Sequence, residues 1–332
     1  MTRELYDLTA LELSNAYRSK ELSPVEVTRS VLSRIETCEP KLNAMYIIDA
    51  ERALAQAAAS EARWHEGRPL SQLDGVPITI KDLIATRGDP VPVGTAAADF
   101  TPATVDHPPV ARVKEAGCVI LGKTTMPDFG MLASGVSSLH GITRNPWNTE
   151  RNTSGSSSGA GAAIAAGYGP LALGTDIGGS VRLPAAYNGI FALKPSLGRV
   201  PIYPPYLGRV TGPMTRTVTD AALLLNALTR PDPRDFMALP YDARDWTEAL
   251  AGEVRGKRLG LLMEIGAGIT PQPAVRRAIE AAARTFEEAG AIVEPVEPFV
   301  TDEMLDGLDL FFQSRLLADV ERLPAERQQK VL

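Results

Sequence analysis

Apolar residues recur at helical spacing over residues 8–18 and 24–36, which predicts two amphipathic helices. Ser23-Pro24-Val25-Glu26 opens the second, with Ser at the N-cap, Pro at the first helical position and Glu at the third. Residues 49–66 predict an Ala-rich helix with Glu and Arg on its outer face. Residues 1–67 thus read as a helical N-terminal scaffold. The period then changes. From Leu73 to Asp82, Val76, Ile78 and Ile80 alternate with Pro77, Thr79 and Lys81, the signature of a strand. Lys81 falls at its end, on the face opposite the isoleucines, where a solvated edge lysine is the default.

Residues 87–108 are rich in Pro, Gly and Asp and predict a long loop. A helix follows to residue 116, then a strand at Cys118–Leu121. Gly117 to Thr124 reads Gly-Cys-Val-Ile-Leu-Gly-Lys-Thr, which matches the phosphate-loop pattern letter for letter. The context is wrong for one: its middle residues are strand formers, and a helix precedes them. A short helix is predicted over 126–134. Between 153 and 184 two Gly/Ser clusters flank a buried helix (157–167) and a short strand. Ile190–Leu193 predicts a buried strand, and residues 194–214, with five prolines, a loop-rich stretch. Thr217 caps a helix to Thr229, and residues 230–256 read as a connecting excursion. A strand (259–263), a helix (273–289), a strand (292–296) and a last helix from Asp302 complete the chain. Strands alternating with helices imply an α/β layered fold with a mixed, mostly parallel sheet flanked by helices on both faces.

Composition narrows the function. The 332 residues are 44% hydrophobic and 22% charged, enough for a sizeable core. A net charge of −6 with no Lys/Arg-rich run argues against nucleic acid and against an anionic membrane as partners. The two cysteines, Cys38 and Cys118, are too few for a disulfide framework or a multi-cysteine metal site. With no apolar signal region and no apolar run approaching the ~18–20 residues that span a bilayer, a cytoplasmic location is expected. The three histidines, His65, His107 and His140, lie outside the Gly/Ser clusters, so a lysine becomes a candidate base.

The second cluster, Thr175-Asp176-Ile177-Gly178-Gly179-Ser180, follows a strand and precedes a short helix with Arg182. Consecutive amides of a glycine turn form an anion nest, and a serine at its end can attack a carbonyl while those amides hold the oxyanion. The alternative is a tight strand-to-helix turn with Ser180 as a cap. For Ser156 the alternative is an N-cap on the helix that follows.

These elements, in order, resemble the amidase signature family: Gly75-Val76-Pro77-Ile78-Thr79-Ile80-Lys81-Asp82, Gly122-Lys123-Thr124, Asn145-Pro146-Trp147, Gly155-Ser156-Ser157-Ser158-Gly159, Gly174 to Pro184, Leu193-Lys194-Pro195-Ser196 and Gly212 to Val218. The resemblance covers nearly the whole chain. It implies an amidase signature fold and a Ser–Ser–Lys triad: Ser180 the nucleophile, Ser156 on a cis peptide as the bridge, Lys81 the general base. The amides of Ile177, Gly178, Gly179 and Ser180 would form the oxyanion hole. Such a lysine acts as base only when neutral, so burial must lower its pKa by several units from ~10.4. The implied activity is hydrolysis of a carboxylic amide C–N bond other than a peptide bond, with no metal or cofactor. The expected partner is a small-molecule amide, with no nucleic acid and no membrane, and the resemblance allows a homodimer. The alternatives are the amidase-type subunit of a glutamine-dependent tRNA amidotransferase and a catalytically incompetent fragment. Thr153-Ser154 stand where the family often has Pro-Gly. Residues 1–332 read as a single amidase signature domain that lacks the family's usual C-terminal segment. The variable loops around Gly130–Ser134 and Tyr203–Tyr206 are the expected pocket walls.

Overall fold

The computed structural model describes residues 3–332. The chain divides into two compact units, residues 3–247 with 320–332 and residues 248–319.

The first unit opens on α1 (Ala10–Ser19), α2 (Pro24–Leu42) and α3 (Ala50–His65). Thr9 and Ser23 each close a capping box with the glutamate three residues on, Glu12 and Glu26. α2 runs to Leu42, through Pro40 and past the predicted end at residue 36. The short strand β1 (Met45–Ile48) follows it, unannounced by any periodicity.

Six strands build the central sheet in the order β1, β3 (Val119–Thr124), β2 (Pro77–Lys81), β8 (Leu171–Asp176), β10 (Val210–Thr215) and β9 (Phe191–Ala192). Its centre, β3-β2-β8, runs parallel, and both flanks are antiparallel. Two small hairpins, β4 (Val136–Ser137) with β5 (Gly141–Ile142) and β6 (Arg144–Asn145) with β7 (Asn148–Asn152), lie outside it. Every residue of β2, β3, β8 and β10 is buried. The phosphate-loop look-alike is therefore the inner strand β3, with no open loop to cradle a phosphate. β10 corrects the loop expected over 194–214. Gly212 and Pro213 argue against a central strand by sequence, yet a Cβ on Gly212 would lie 2.2 Å from the Leu193 oxygen. Glycine is what the close approach of the neighbouring backbone demands.

The helices α4 (Pro108–Glu115), α5 (Ser158–Ala166), α6 (Arg182–Asn188) and α7 (Val218–Leu228) complete this unit's framework. α5 is buried almost all round and packs against β2, β3, β8 and β10. Its sequence, Ser-Gly-Ala-Gly-Ala-Ala-Ile-Ala-Ala, has no bulky residue but Ile164, which is what lets it press onto the sheet. In the second unit β11 (Arg258–Leu261) and β12 (Ile292–Pro295) pair in parallel, joined through α8 (Pro273–Glu288). α9 (Asp302–Glu321) and α10 (Ala325–Gln328) close the chain.

Candidate active site

Lys81 is not an edge lysine. It ends β2 at the middle of the sheet and is fully buried. Its Nζ donates to Ser156 Oγ at 2.9 Å and to Thr175 Oγ1 at 2.8 Å. β2 supplies the lysine, the turn before α5 supplies Ser156, and β8 supplies Thr175. The alternation read from the sequence set the side-chain direction. It could not reveal that the turn before α5 and Thr175 of the adjacent strand enclose the lysine.

Ser156 does not cap α5. The helix begins at Ser158, and the Gly155–Ser156 peptide is cis. Ser157, the residue at the N-cap, instead ties the turn to β8: its hydroxyl donates to the Thr175 carbonyl and accepts from the Thr175 amide, both at 3.3 Å. The Ser157 amide donates to the Ser180 carbonyl at 3.1 Å, which joins the two Gly/Ser clusters through their backbones. A Cβ on Gly130 would lie 3.1 Å from Ser156 Oγ, so the loop beginning there borders the relay.

The Ile177–Ser180 turn is shaped by a residue that sequence reasoning passed over. The buried Asp176 carboxylate accepts from the Gly179 amide at 2.9 Å, the Val181 amide at 3.1 Å, and Arg182 at 3.1 and 2.9 Å. Burial pushes this carboxyl up, but Arg182 and the two amides outweigh it and hold it below the ordinary range. Of the four amides expected in an oxyanion hole, that of Gly179 is thus turned to Asp176. Ile177 and Ser180 are half-buried and Gly178 is exposed. The signal for Asp176 was its place at a strand end, before two glycines.

Next to Lys81, Asp82 is buried and anchors a loop: its carboxylate accepts from the amides of Val93 and Gly94, both at 2.9 Å. His140 Nε2 lies 3.3 Å from the same carboxylate, with its ring on Tyr46 at 4.9 Å. A second buried lysine, Lys123, is held on the Ile84 carbonyl and on Thr86 Oγ1. Burial brings its pKa down to about 8, against the opposing pull of Asp82 and Asp89. Among the described residues no cluster of three or more His, Cys, Asp or Glu is placed to hold a metal ion, and no helix is long and apolar enough to cross a membrane.

A family model described as Amidase matches residues 26–322. A glutamyl-tRNA(Gln) amidotransferase subunit from Geobacter metallireducens is 42% identical over 294 residues, covering 87% of this chain and 60% of that protein. Its counterpart from Chloroflexus aggregans is 42% identical over 303 residues, covering 88% and 61%. The chain thus spans about 60% of the length of these curated relatives. Among solved structures, a bacterial aryl acylamidase of the amidase signature enzymes aligns with a TM-score of 0.89 and 35% identity, over 98% of this chain and 70% of that one. The peptide amidase of Stenotrophomonas maltophilia aligns with a TM-score of 0.80 and 33% identity, over 88% and 62%. The mixed sheet flanked by helices is the amidase signature fold. One expectation is overturned. A small-molecule amide as partner, without nucleic acid, does not sit with relatives named as one subunit of an enzyme of glutamyl-tRNA(Gln). Net charge misled because it averages over the chain and is silent on partners that engage one face or another subunit.

Proposed function

The chain belongs to the amidase family, and we propose that it breaks a carboxylic amide C–N bond through an acyl-enzyme on Ser180. The observation that carries this reading is the buried Lys81 Nζ at 2.9 Å from Ser156 Oγ. Removing an amine from water favours its neutral form, and a neutral Lys81 is the base the chemistry needs. Ser180 Oγ attacks the amide carbon as its proton passes to Ser156 and that of Ser156 to Lys81. A C–O bond forms and the carbonyl becomes an oxyanion. The amides of Ile177, Gly178 and Ser180 are our oxyanion donors. Gly179 keeps the turn in shape through its bond to Asp176. The relay then returns a proton to the nitrogen as the C–N bond breaks, and the free amine leaves. Water, or another acceptor, releases the acyl group by the same relay run again.

Intact mass after incubation with a fluorophosphonate tests this. Wild type gains one adduct, Ser180→Ala gains none, and Lys81→Ala reacts at least about 100-fold more slowly. Labelling of Ser180→Ala at the wild-type rate sinks the assignment.

The identity of 42% to amidotransferase subunits favours one reading of the amide. In it, the chain releases ammonia from glutamine for a partner that uses it. Glutaminase activity that rises sharply when partner subunits are added supports that reading. Full activity on glutamine without any partner counts against it.

A further inference from the structure

Asp82 follows Lys81 directly and is fully buried. Its amide donates to the Thr124 carbonyl at 3.0 Å, which carries the β2–β3 ladder one residue past the lysine. Its carboxylate meets a turn. One oxygen accepts from the Val93 amide and the other from the Gly94 amide, both at 2.9 Å. Both residues take left-handed backbone, with φ of 46° and 73°. That conformation is disfavoured for a β-branched residue such as Val93. Successive amides that converge in this way form an anion nest, and here the anion is the Asp82 carboxylate. His140 Nε2 lies 3.3 Å from it as a third partner.

From this turn a chain of backbone contacts leads to Ser156. The Val93 carbonyl accepts from the Phe129 amide at 2.8 Å. A Cβ on Gly94 would lie 2.4 Å from the carbonyl oxygens of both Met126 and Pro127, so the two segments press together. The stretch from Gly130 to Ser134 continues from that contact onto the turn that carries Ser156. Ser154 Oγ donates to the Ala133 carbonyl at 3.1 Å, and Ser158 Oγ to the Ser134 carbonyl at 3.3 Å. A Cβ on Gly155 would lie 2.6 Å from the Leu132 oxygen and 2.5 Å from the Ser134 oxygen. Lys81 and Ser156, 75 positions apart, are therefore joined twice. One link is their own hydrogen bond, and the other runs through Asp82 and these backbone contacts.

We propose that Asp82 is a positioning residue: through the 93–94 turn and the Gly130–Ser134 stretch it sets Ser156 at hydrogen-bond distance from Lys81. Its bearing on catalysis rests on the Ser180–Ser156–Lys81 reading above. A carboxylate suits the task because its two oxygens accept from two amides and an imidazole at once, and bonds to a charged acceptor are strong in a buried site.

Asp82→Asn keeps the shape but turns one oxygen into an NH₂ that a donor must face. Asp74→Asn is the control. Asp74 is equally buried, just before the start of the same strand, and its carboxylate accepts from Arg63 and the Leu70 amide. Both variants should melt at lower temperature than wild type. Well below either melt, only Asp82→Asn should slow saturated fluorophosphonate labelling of Ser180, by at least about tenfold, with the half-saturating concentration within about threefold. Adding Val93→Gly, which takes left-handed backbone without penalty, should recover at least about threefold of that loss. Hydrogen exchange read by mass spectrometry should quicken over 129–134 and 154–158 in Asp82→Asn and not in Asp74→Asn. Labelling of Asp82→Asn within about twofold of wild type, equal slowing in Asp74→Asn, or no recovery with Val93→Gly overturns the proposal. So does unchanged exchange over those two stretches. A wild type that fails to label removes the acyl-enzyme reading instead, and the exchange contrast between the two variants then decides whether Asp82 places Ser156.

Discussion

At the scale of single residues, two groups carry predictions: Asp176 in the site and the half-buried His107 outside it. Asp176 holds the nucleophile turn by accepting from two amides and Arg182 at once. Asp176→Asn keeps the shape but replaces one acceptor oxygen with a donor, so one of those partners must face an NH₂. We expect fluorophosphonate labelling of Ser180 to slow by about 10–100-fold, on the scale of losing one preorganised donor. Stopped-quench mass spectrometry measures it, and a rate within twofold of wild type would mean that the glycines alone fix the turn. His107 makes a prediction about pH. Burial, with Lys123, Arg209 and Arg234 nearby, brings its pKa down to about 4 folded, against 6.5 for an ordinary histidine. The unfolded chain therefore takes up a proton that the folded chain refuses. Stability is full above about pH 6.5 and falls as the pH drops toward 4. At pH 5 the loss from this group is about 2 kcal/mol. His107→Asn keeps an acceptor for the Ala85 amide but does not titrate. Its unfolding free energy should drop about 2 kcal/mol less between pH 7.5 and pH 5 than that of wild type, by urea denaturation. Equal drops would show that His107 is not the group responsible.

At the scale of elements, α5 is the clearest case of close approach deciding sequence. A Cβ on Gly159 would lie 2.0 Å from the Ala44 oxygen and 2.5 Å from the Thr125 nitrogen, both backbone atoms that cannot swing aside. Gly159→Ala gains up to about 1 kcal/mol of helix propensity, yet we expect it to destabilise the first unit by about 2–4 kcal/mol through overpacking. In α9, Gly307 meets nothing within 4 Å of an added Cβ. Gly307→Ala should keep the propensity gain and raise stability by about 0.5–1 kcal/mol. Chemical denaturation of the two variants checks both signs, and destabilisation by Gly307→Ala would remove the contrast. The same physics sets what could be read in advance. The Gly/Ser clusters, the helix between them and the strand ending at Lys81 were legible because glycine spacing and alternation are local. β10 was not, since Gly212 and Pro213 look like loop residues until the Leu193 backbone is seen beside them. Nor was the Lys81–Thr175 bond, which spans 94 positions and depends on β2 and β8 being neighbours.

At the scale of the whole molecule, family and fold followed from motifs in order, whereas the partner did not. Partner choice belongs to exposed surface and to other subunits, and the chain spans only about 60% of the relatives it matches. The boundary near residue 247 was likewise hidden in a stretch that read only as a connecting excursion. Around it the backbone runs from Pro240 to Lys257 with little regular structure beyond a short 3-10 turn, and Arg244, Arg255 and Lys257 are exposed. Proteases need a segment that can open locally, which favours exposed chain outside helices and sheets. Arg244 pairs with Asp242 at 2.7 Å but within that irregular stretch, whereas Arg52, Arg63 and Arg216 are tied to distant parts of the first unit: Arg52 to Asp89 at 2.9 Å, Arg63 to Asp74 at 2.6 Å and Arg216 to the Leu8 carbonyl at 2.9 Å. Brief trypsin treatment of the native chain should therefore cut first after Arg244 or Arg255, as read by intact mass. Fragments ending at Arg52, Arg63 or Arg216 should arise only once the first unit unfolds. If those fragments come first, the excursion is held more tightly than its exposure implies, and the division into two units has no counterpart in local stability.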